Sequence, residues 1–416
     1  MIYNISDRPP FGKTLLFALQ VVLSCFVASV LIANICGTDP AAALVGAGFG
    51  TIIYLIITKF QSPMFISSSG AFVAPVIAAL SLGGYSGVAI GGAVSCAIYC
   101  LFGFIFSKIN VDKIYAVFPK ALIGAITAVI GISLMPFCLT YVQIGGETNI
   151  WGIVIAFITM LSIALISHYA KGIGKILPFL LGTLIGYGCA IILTLTGVYP
   201  IVDFSVFQNM KLFSVPNFAF FNLGSISWTA VAGVIVIYIA YTISAQMECL
   251  SDHAALGGII GADLYRKPGL GRIYVGTGIA NLANGFLGGL GSCSYGEAVS
   301  TVGFSRVAST WVTLWASIIM VVLGFVGPVQ ALISSIPSCV FCGAAIILYS
   351  FIAVSGIKML QSVDLNNNKN LLVAGIALSL GLSGIAVGGA TFSLSGTALG
   401  LIGGVIVNLL LREKTN

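Results

Sequence analysis

Long stretches without a charged side chain decide what this chain can become. None occurs between Lys13 and Asp39, between Lys59 and Lys108, between Lys211 and Glu248, between Arg306 and Lys358, or between Lys369 and Arg412. Apolar runs of that length read as membrane-spanning helices, because backbone polar groups in hydrocarbon must be bonded within the protein. Composition agrees. Of 416 residues, 59% are hydrophobic and 7% charged, against roughly 25% charged in a soluble domain. Soluble enzymes, nucleic-acid binders and disordered chains are excluded on this ground. The partners expected are the lipid bilayer and a small molecule, and no nucleic acid. The net charge of +6 reads as membrane orientation. The polar opening with Pro9 and Pro10 leads into an apolar run too long for a cleavable signal.

Charged and Pro/Gly breaks divide the sequence into fourteen spans, at about 14–34, 42–58, 70–83, 86–107, 115–137, 150–169, 174–197, 226–251, 269–290, 297–306, 307–327, 330–353, 370–388 and 393–411. The chain is therefore expected to be an all-α polytopic membrane protein. Lys and Arg set its orientation. With the N-terminus inside, inner connections collect Arg8, Lys13, Lys59, Lys108, Lys113, Lys171, Lys175, Arg266, Lys267, Arg272, Arg306, Lys358, Lys369, Arg412 and Lys414, while the outer loops hold Lys211. Both termini are expected in the cytoplasm and the chain in the cell membrane.

Two spans, the third and the tenth, are too short to cross a core of about 30 Å at ~1.5 Å per residue. They hold the same place in two halves of seven spans. An odd number per half inverts the second half relative to the first, and interrupted segments at matching positions point to a transporter's central site. A small, polar stretch precedes each: Phe65-Ile66-Ser67-Ser68-Ser69-Gly70 and Gly291-Ser292-Cys293-Ser294-Tyr295-Gly296. Each is read as a short extended segment feeding a half-helix. The two segments are expected to pair with each other as short β-strands, which satisfies backbone groups at membrane depth. Backbone N–H groups at the half-helix starts, around Gly70, Ala71 and Gly296, are then free to meet a ligand's carbonyls.

Most of the eleven acids fall in connections. Glu248, Asp252 and Glu297 do not. Glu248 and Asp252 are four residues apart, on one helix face at the end of the eighth span. Glu297 opens the tenth-span half-helix, where the dipole favours an acid. An intramembrane carboxylate is a functional hypothesis by default. Burial favours a carboxyl group's neutral form, so such a group can take up and release a proton. For Asp252 a capping role at the inner end stays open beside this. Cys339 and Cys342 form a CxxC, read as two small apolar residues on a buried helix. His168 and His253 are read as interfacial, and no metal or organic cofactor is expected.

The residues also carry a family resemblance. Leu19-Gln20, the run Ser68-Ser69-Gly70-Ala71-Phe72-Val73-Ala74-Pro75, the run Asp263-Leu264-Tyr265-Arg266-Lys267-Pro268-Gly269-Leu270, Tyr295-Gly296-Glu297 through Arg306, Leu348-Tyr349, and Ser355-Gly356-Ile357-Lys358 occur in order over nearly the whole chain. Together they resemble the nucleobase–ascorbate transporters, also called nucleobase–cation symporters, and within them the uracil permeases. The resemblance implies that Glu248 and Glu297 bind a nucleobase and that Tyr295 lines the site. It implies a core domain (1–110 and 226–328) and a gate domain (111–225 and 329–416), elevator-like alternation of core against gate, and a homodimer. Glu248 and Asp252 are the expected proton-coupling groups, with Tyr349 on the gate side bonding towards Asp252 in one state. A proton is the expected coupling ion; sodium stays open.

Departures from the pattern leave the base open. Asp252 stands where uracil permeases carry His and purine transporters Asp. Glu297 and Thr277 stand where purine members carry Gln and Asp. Ala298, Ser300 and Ser305 replace the usual Asn, Gly and Thr, and Gly70 replaces an aromatic residue. Uracil is the leading expectation, a purine symporter the alternative, and an anion transporter of the related sulfate-transporter fold a remote one. A nucleophile–base or metal constellation is lacking, so an enzyme is not expected.

Overall fold

The computed structural model describes the chain except residues 110–115, 140–141, 145–146, 172–176, 209–210, 386, 390–391, 395 and 412–416. Of the charges used for orientation, Lys113, Lys175, Arg412 and Lys414 lie outside the described residues.

Helices dominate. In chain order they are α1 (Phe11–Cys36), α2 (Pro40–Ile57), α3 (Val73–Lys108), α4 (Lys120–Ser133), α5 (Met135–Leu139), α6 (Ile150–Tyr169), α7 (Pro178–Leu195), α8 (Trp228–Ile260), α9 (Leu270–Leu287), α10 (Gly296–Ser305), α11 (Thr310–Phe325), α12 (Gly327–Ser335), α13 (Ser338–Gln361), α14 (Asn368–Leu382) and α15 (Gly396–Leu410). Among the described residues, seven helical stretches are long and apolar enough to cross a membrane, and four shorter apolar ones accompany them. The strands are β1 (Ile66–Ser68), β2 (Gln143–Ile144), β3 (Glu147–Thr148), β4 (Ser292–Ser294), β5 (Val387–Gly389) and β6 (Phe392–Leu394).

The expected break between the third and fourth spans is a kink inside α3. Gly84 sits at φ 58°, ψ −149°, a conformation that a residue with a Cβ rarely adopts. The short third span is thus the stretch before Gly83, preceded by a 3₁₀ turn over Gly70–Phe72. The tenth is α10, whose first turn carries Glu297.

Several boundaries differ from the sequence expectation. The eighth span does not end near residue 251; α8 runs on to Ile260, so Asp252 and His253 lie within the helix. Polar residues ended the apolar run, but partners from other elements satisfy them. The twelfth span was expected over 330–353; α12 and α13 occupy 327–361, separated at Ile336 (ψ 120°) and Pro337. A residue before proline is pushed out of the helical region. The thirteenth ends at Leu382, not near 388, and the β5–β6 hairpin follows. The β2–β3 hairpin was likewise not expected.

Small residues let the helices approach closely, as membrane helices require. A Cβ on Gly131 of α4 would lie 2.4 Å from the Ala353 nitrogen of α13, and one on Gly356 of α13 would lie 2.3 Å from the Ala128 nitrogen of α4. A Cβ on Gly103 of α3 would meet the Gly271 carbonyl of α9 at 2.9 Å, and one on Gly276 of α9 would meet Tyr54 of α2 at 3.0 Å. The densest packing joins α1, α2, α3, α8, α9 and α11 on one side, and α4, α6, α7, α13, α14 and α15 on the other.

Candidate functional site

The site grows from two extended segments that meet inside the helical bundle. β1 and β4 pair antiparallel, with Ile66 opposite Ser294, Ser67 opposite Cys293 and Ser68 opposite Ser292. Flanking bonds extend the pair: the Ser69 amide donates to the Gly291 carbonyl at 3.0 Å, and the Tyr295 amide to the Phe65 carbonyl at 3.1 Å. All six strand residues are buried. Extended backbone there is stable because its polar groups are taken up by protein. Asn281 of α9 donates to the Ser292 carbonyl and Asn284 to the Ser292 hydroxyl, both at 2.6 Å. Thr51 of α2 donates its hydroxyl to the Ile66 carbonyl at 2.8 Å and accepts from the Ile66 amide at 3.0 Å.

The pairing brings the starts of two helical segments to one place. After β1, the Ser69 hydroxyl accepts the Ala71 amide at 3.1 Å, capping the turn that leads into α3. After β4, Tyr295 and Gly296 lead directly into α10. Both carboxylates of α8 face this junction. The Ser69 hydroxyl donates to Glu248 Oε2 at 2.8 Å, and the Ser294 hydroxyl donates to Asp252 Oδ2 at 2.7 Å. A Cβ added to Gly296 would lie 3.8 Å from Asp252 Oδ1. Glu297 stands in the first turn of α10, next in sequence to Gly296. Among the described residues, none of the three carboxylates has an ion-pair partner; the ion pair found is Arg266–Asp263, elsewhere. Unpaired carboxylates beside helix N-termini present both acceptors and donors, the pattern of a neutral, hydrogen-bonding ligand.

The sequence profile of the Permease family matches residues 12–389. The chain belongs to that family. This permease is 32% identical to the "Uracil permease" of Bacillus caldolyticus, over 99% of this chain and 95% of the relative. It is 33% identical to the "Uracil permease" of Escherichia coli K12, over 98% and 94%. The nucleobase–ascorbate transporter resemblance is thereby established, and the permease is a multi-pass membrane transporter, not an enzyme. Its fold is shared with murine Solute Carrier 26 family member A9, an anion transporter (TM-score 0.69, 12% identity, 98% of this chain and 69% of the other). It is also shared with the transmembrane domain of the cyanobacterial bicarbonate transporter BicA (TM-score 0.60, 17% identity, 90% and 100%).

The remaining expected residues of the permease fall around the same junction. Gly70 faces the second group of helices: a Cβ there would lie 2.8 Å from Leu134 Cδ1, 3.8 Å from Tyr349 Cε1 and 3.9 Å from Ile352 Cδ1. Tyr349 is fully buried on α13. Tyr295 is buried beside Ser29 and Ser67, whose hydroxyls bond each other at 2.7 Å. Sequence reasoning passed over Ser69 and Ser294 as ligands of the acids, although each ends one of the two serine-rich segments. It also passed over Leu134, which had no signal.

His253 corrects an expectation. It is 1% exposed, not interfacial. Its Nε2 is bonded to the Tyr54 hydroxyl at 2.8 Å, its Nδ1 faces the Cys249 carbonyl at 2.7 Å, and Tyr54 in turn donates to Ser62 at 2.8 Å. This side of α8 braces the helix against α2, while Glu248 and Asp252 project from a different side. Cys339 and Cys342 are buried on α13 as expected, with the Cys342 thiol donating to the Cys138 carbonyl at 3.1 Å. Among the described residues no His, Cys, Asp or Glu group forms a metal site.

Proposed function

We propose that this permease imports a nucleobase, uracil first, by proton symport. The observation that supports this best is the junction at β1–β4. There Glu248 and Glu297 offer acceptors, and the backbone at Gly70 and Gly296 offers donors; the Ala71 amide, expected as a third, is taken by the Ser69 hydroxyl. Uracil is planar and neutral and alternates N–H donors with carbonyl acceptors, so it matches that set group for group. A base with the wrong pattern leaves buried groups unpaired, which gives discrimination. The full-length relatives named as uracil permeases point the same way.

Glu248 takes the proton, with Asp252 sharing the task, and its loss to the cytoplasm weakens substrate binding. Tyr349 faces the site from the gate. The fourteen spans form two inverted repeats of seven, with both termini in the cytoplasm of a cell-membrane homodimer. The core comprises 1–110 and 226–328, and the gate 111–225 and 329–416. The division of dense packing into two helix groups favours such a reading.

Asp252 favours a second reading within the family, a purine symporter, because it adds an acceptor beside Gly296. Anion transport has no such support, since the site's charged groups are acids.

Uptake of radiolabelled uracil into proteoliposomes, with and without an imposed pH gradient, tests the proposal. Accumulation that follows the pH gradient is expected. Accumulation that ignores it while following a sodium gradient overturns the coupling. Competition by xanthine or hypoxanthine at lower concentration than uracil overturns the substrate.

A further inference from the structure

A concave site lies away from the β1–β4 junction, on the face where α1, α9 and α11 begin and α2 and α8 end. It is a cavity of about 860 Å³. Three segments far apart in sequence supply cations to its wall: Arg8 from the N-terminal strap, Lys59 from the end of α2, and Arg266 and Lys267 from the α8–α9 connection. Asp263 is the acid of the lining, and it is held by Arg266 at 3.2 Å. Arg8, Lys59 and Lys267 are left in excess.

A basic inner face is ordinary for a membrane protein. Three features separate this cavity from a scatter of surface charge. First, the strap that carries Arg8 is fastened down. The Thr310 amide and hydroxyl both donate to the Ile5 carbonyl, at 3.1 and 2.9 Å, and the Ser309 hydroxyl donates to the Asp7 carbonyl at 2.6 Å. Second, the Arg8 guanidinium lies 4.9 Å from the Trp311 ring centre. Trp311 packs edge-on against Trp315, and Trp315 against Phe11, so the platform under the cation is fixed. Third, Lys59 and Phe60 both adopt left-handed backbone, at φ 53° and 54°. Two successive non-glycine residues in that region are strained, and such strain gathers at ligand sites. The turn they make carries Lys59 and the Phe60 ring onto the cavity wall.

We propose that this cavity binds a phosphate-bearing anion through Arg8, Lys59 and Lys267, either the headgroup of an anionic phospholipid or a free phosphate compound. A guanidinium and two ammonium groups around one concavity suit a compact multivalent oxyanion, and basic pockets among membrane helices at the inner surface take such headgroups. The bound anion ties the N-terminal strap to α2 and to the α8–α9 connection, all in the helix group that carries Glu248 and Asp252.

Thermal unfolding of the purified full-length chain in an uncharged detergent tests this. One arm titrates inorganic pyrophosphate at constant ionic strength, and the other adds phosphatidylglycerol against phosphatidylcholine. In the wild type at least one of the two phosphate probes raises the unfolding temperature. In Arg8→Gln/Lys59→Gln/Lys267→Gln the half-saturating concentration rises about a hundredfold, roughly fivefold for each cation. Should the triple variant not fold, Lys59→Gln alone carries the test with a roughly fivefold rise. Stabilisation by phosphatidylglycerol alone assigns the lipid headgroup, and stabilisation by pyrophosphate as well assigns a free phosphate compound. No stabilisation of the wild type by either probe, or equal stabilisation of wild type and variants, overturns the site.

Discussion

The Ser294 hydroxyl donates to Asp252 at 2.7 Å. Its counterpart on the other paired segment, Ser69, donates to Glu248 at 2.8 Å. Each extended segment therefore supplies one hydroxyl to one carboxylate of α8, and the two acids are held one helical turn apart. A hydrogen bond to a charged acceptor is worth about 1.5–3 kcal/mol. Ser294→Ala and Ser69→Ala are each expected to raise the apparent KM for uracil uptake by about tenfold or more. Initial-rate kinetics in proteoliposomes measure this, and the unfolding temperature checks that the fold survives.

Glu248→Gln keeps the shape of the side chain and its bond to Ser69 but removes the exchangeable proton. Expected is a loss of concentrative uptake under a pH gradient, with exchange of labelled for unlabelled base across the membrane preserved. Concentrative uptake at the wild-type rate counts against Glu248 as the coupling group.

Gly70 and Leu134 form a fitted pair across the two helix groups. A Cβ at position 70 would press on Leu134 Cδ1 at 2.8 Å. Gly70→Val is expected to reduce uptake severalfold, and Gly70→Val/Leu134→Ala to restore much of it, because shortening Leu134 returns the space. Failure of the double variant to recover would place the damage in the 3₁₀ turn instead.

Tyr54 joins His253 to Ser62 in a fully buried chain of hydrogen bonds. Tyr54→Phe leaves both partners unsatisfied, a loss of about 1–3 kcal/mol. A lowered unfolding temperature in detergent is expected. KM for the base stays near wild type, because this chain lies on the face of α8 turned away from Glu248.

Much of the architecture is legible from charge spacing, and the reasons are physical. Hydrocarbon excludes charges, so their gaps mark helices, and Gly83-Gly84 marks the kink in α3. The two serine-rich segments announce the strands, since helix formers are missing at matching places in the two halves. What stayed hidden depends on contacts between distant elements. The helix continues through Asp252 and His253 because Ser294 and Tyr54 satisfy them. Residue order shows neither partner. Leu134 against Gly70 is equally silent, as an ordinary leucine in an apolar run. The α12–α13 break was obscured because Ile336-Pro337 lies inside a stretch apolar enough to read as one span.

The β1–β4 ladder has a mechanical corollary. Because Ser67 and Cys293 share one register, and Asn281, Asn284 and Thr51 clamp the ladder from two helices, the starts of the two short helical segments behave as a single rivet. Neither can swing without shearing the other. If core slides against gate as proposed, the paired segments move past Gly70's neighbours as one piece, and the ligand's cradle keeps its shape on both sides of the membrane.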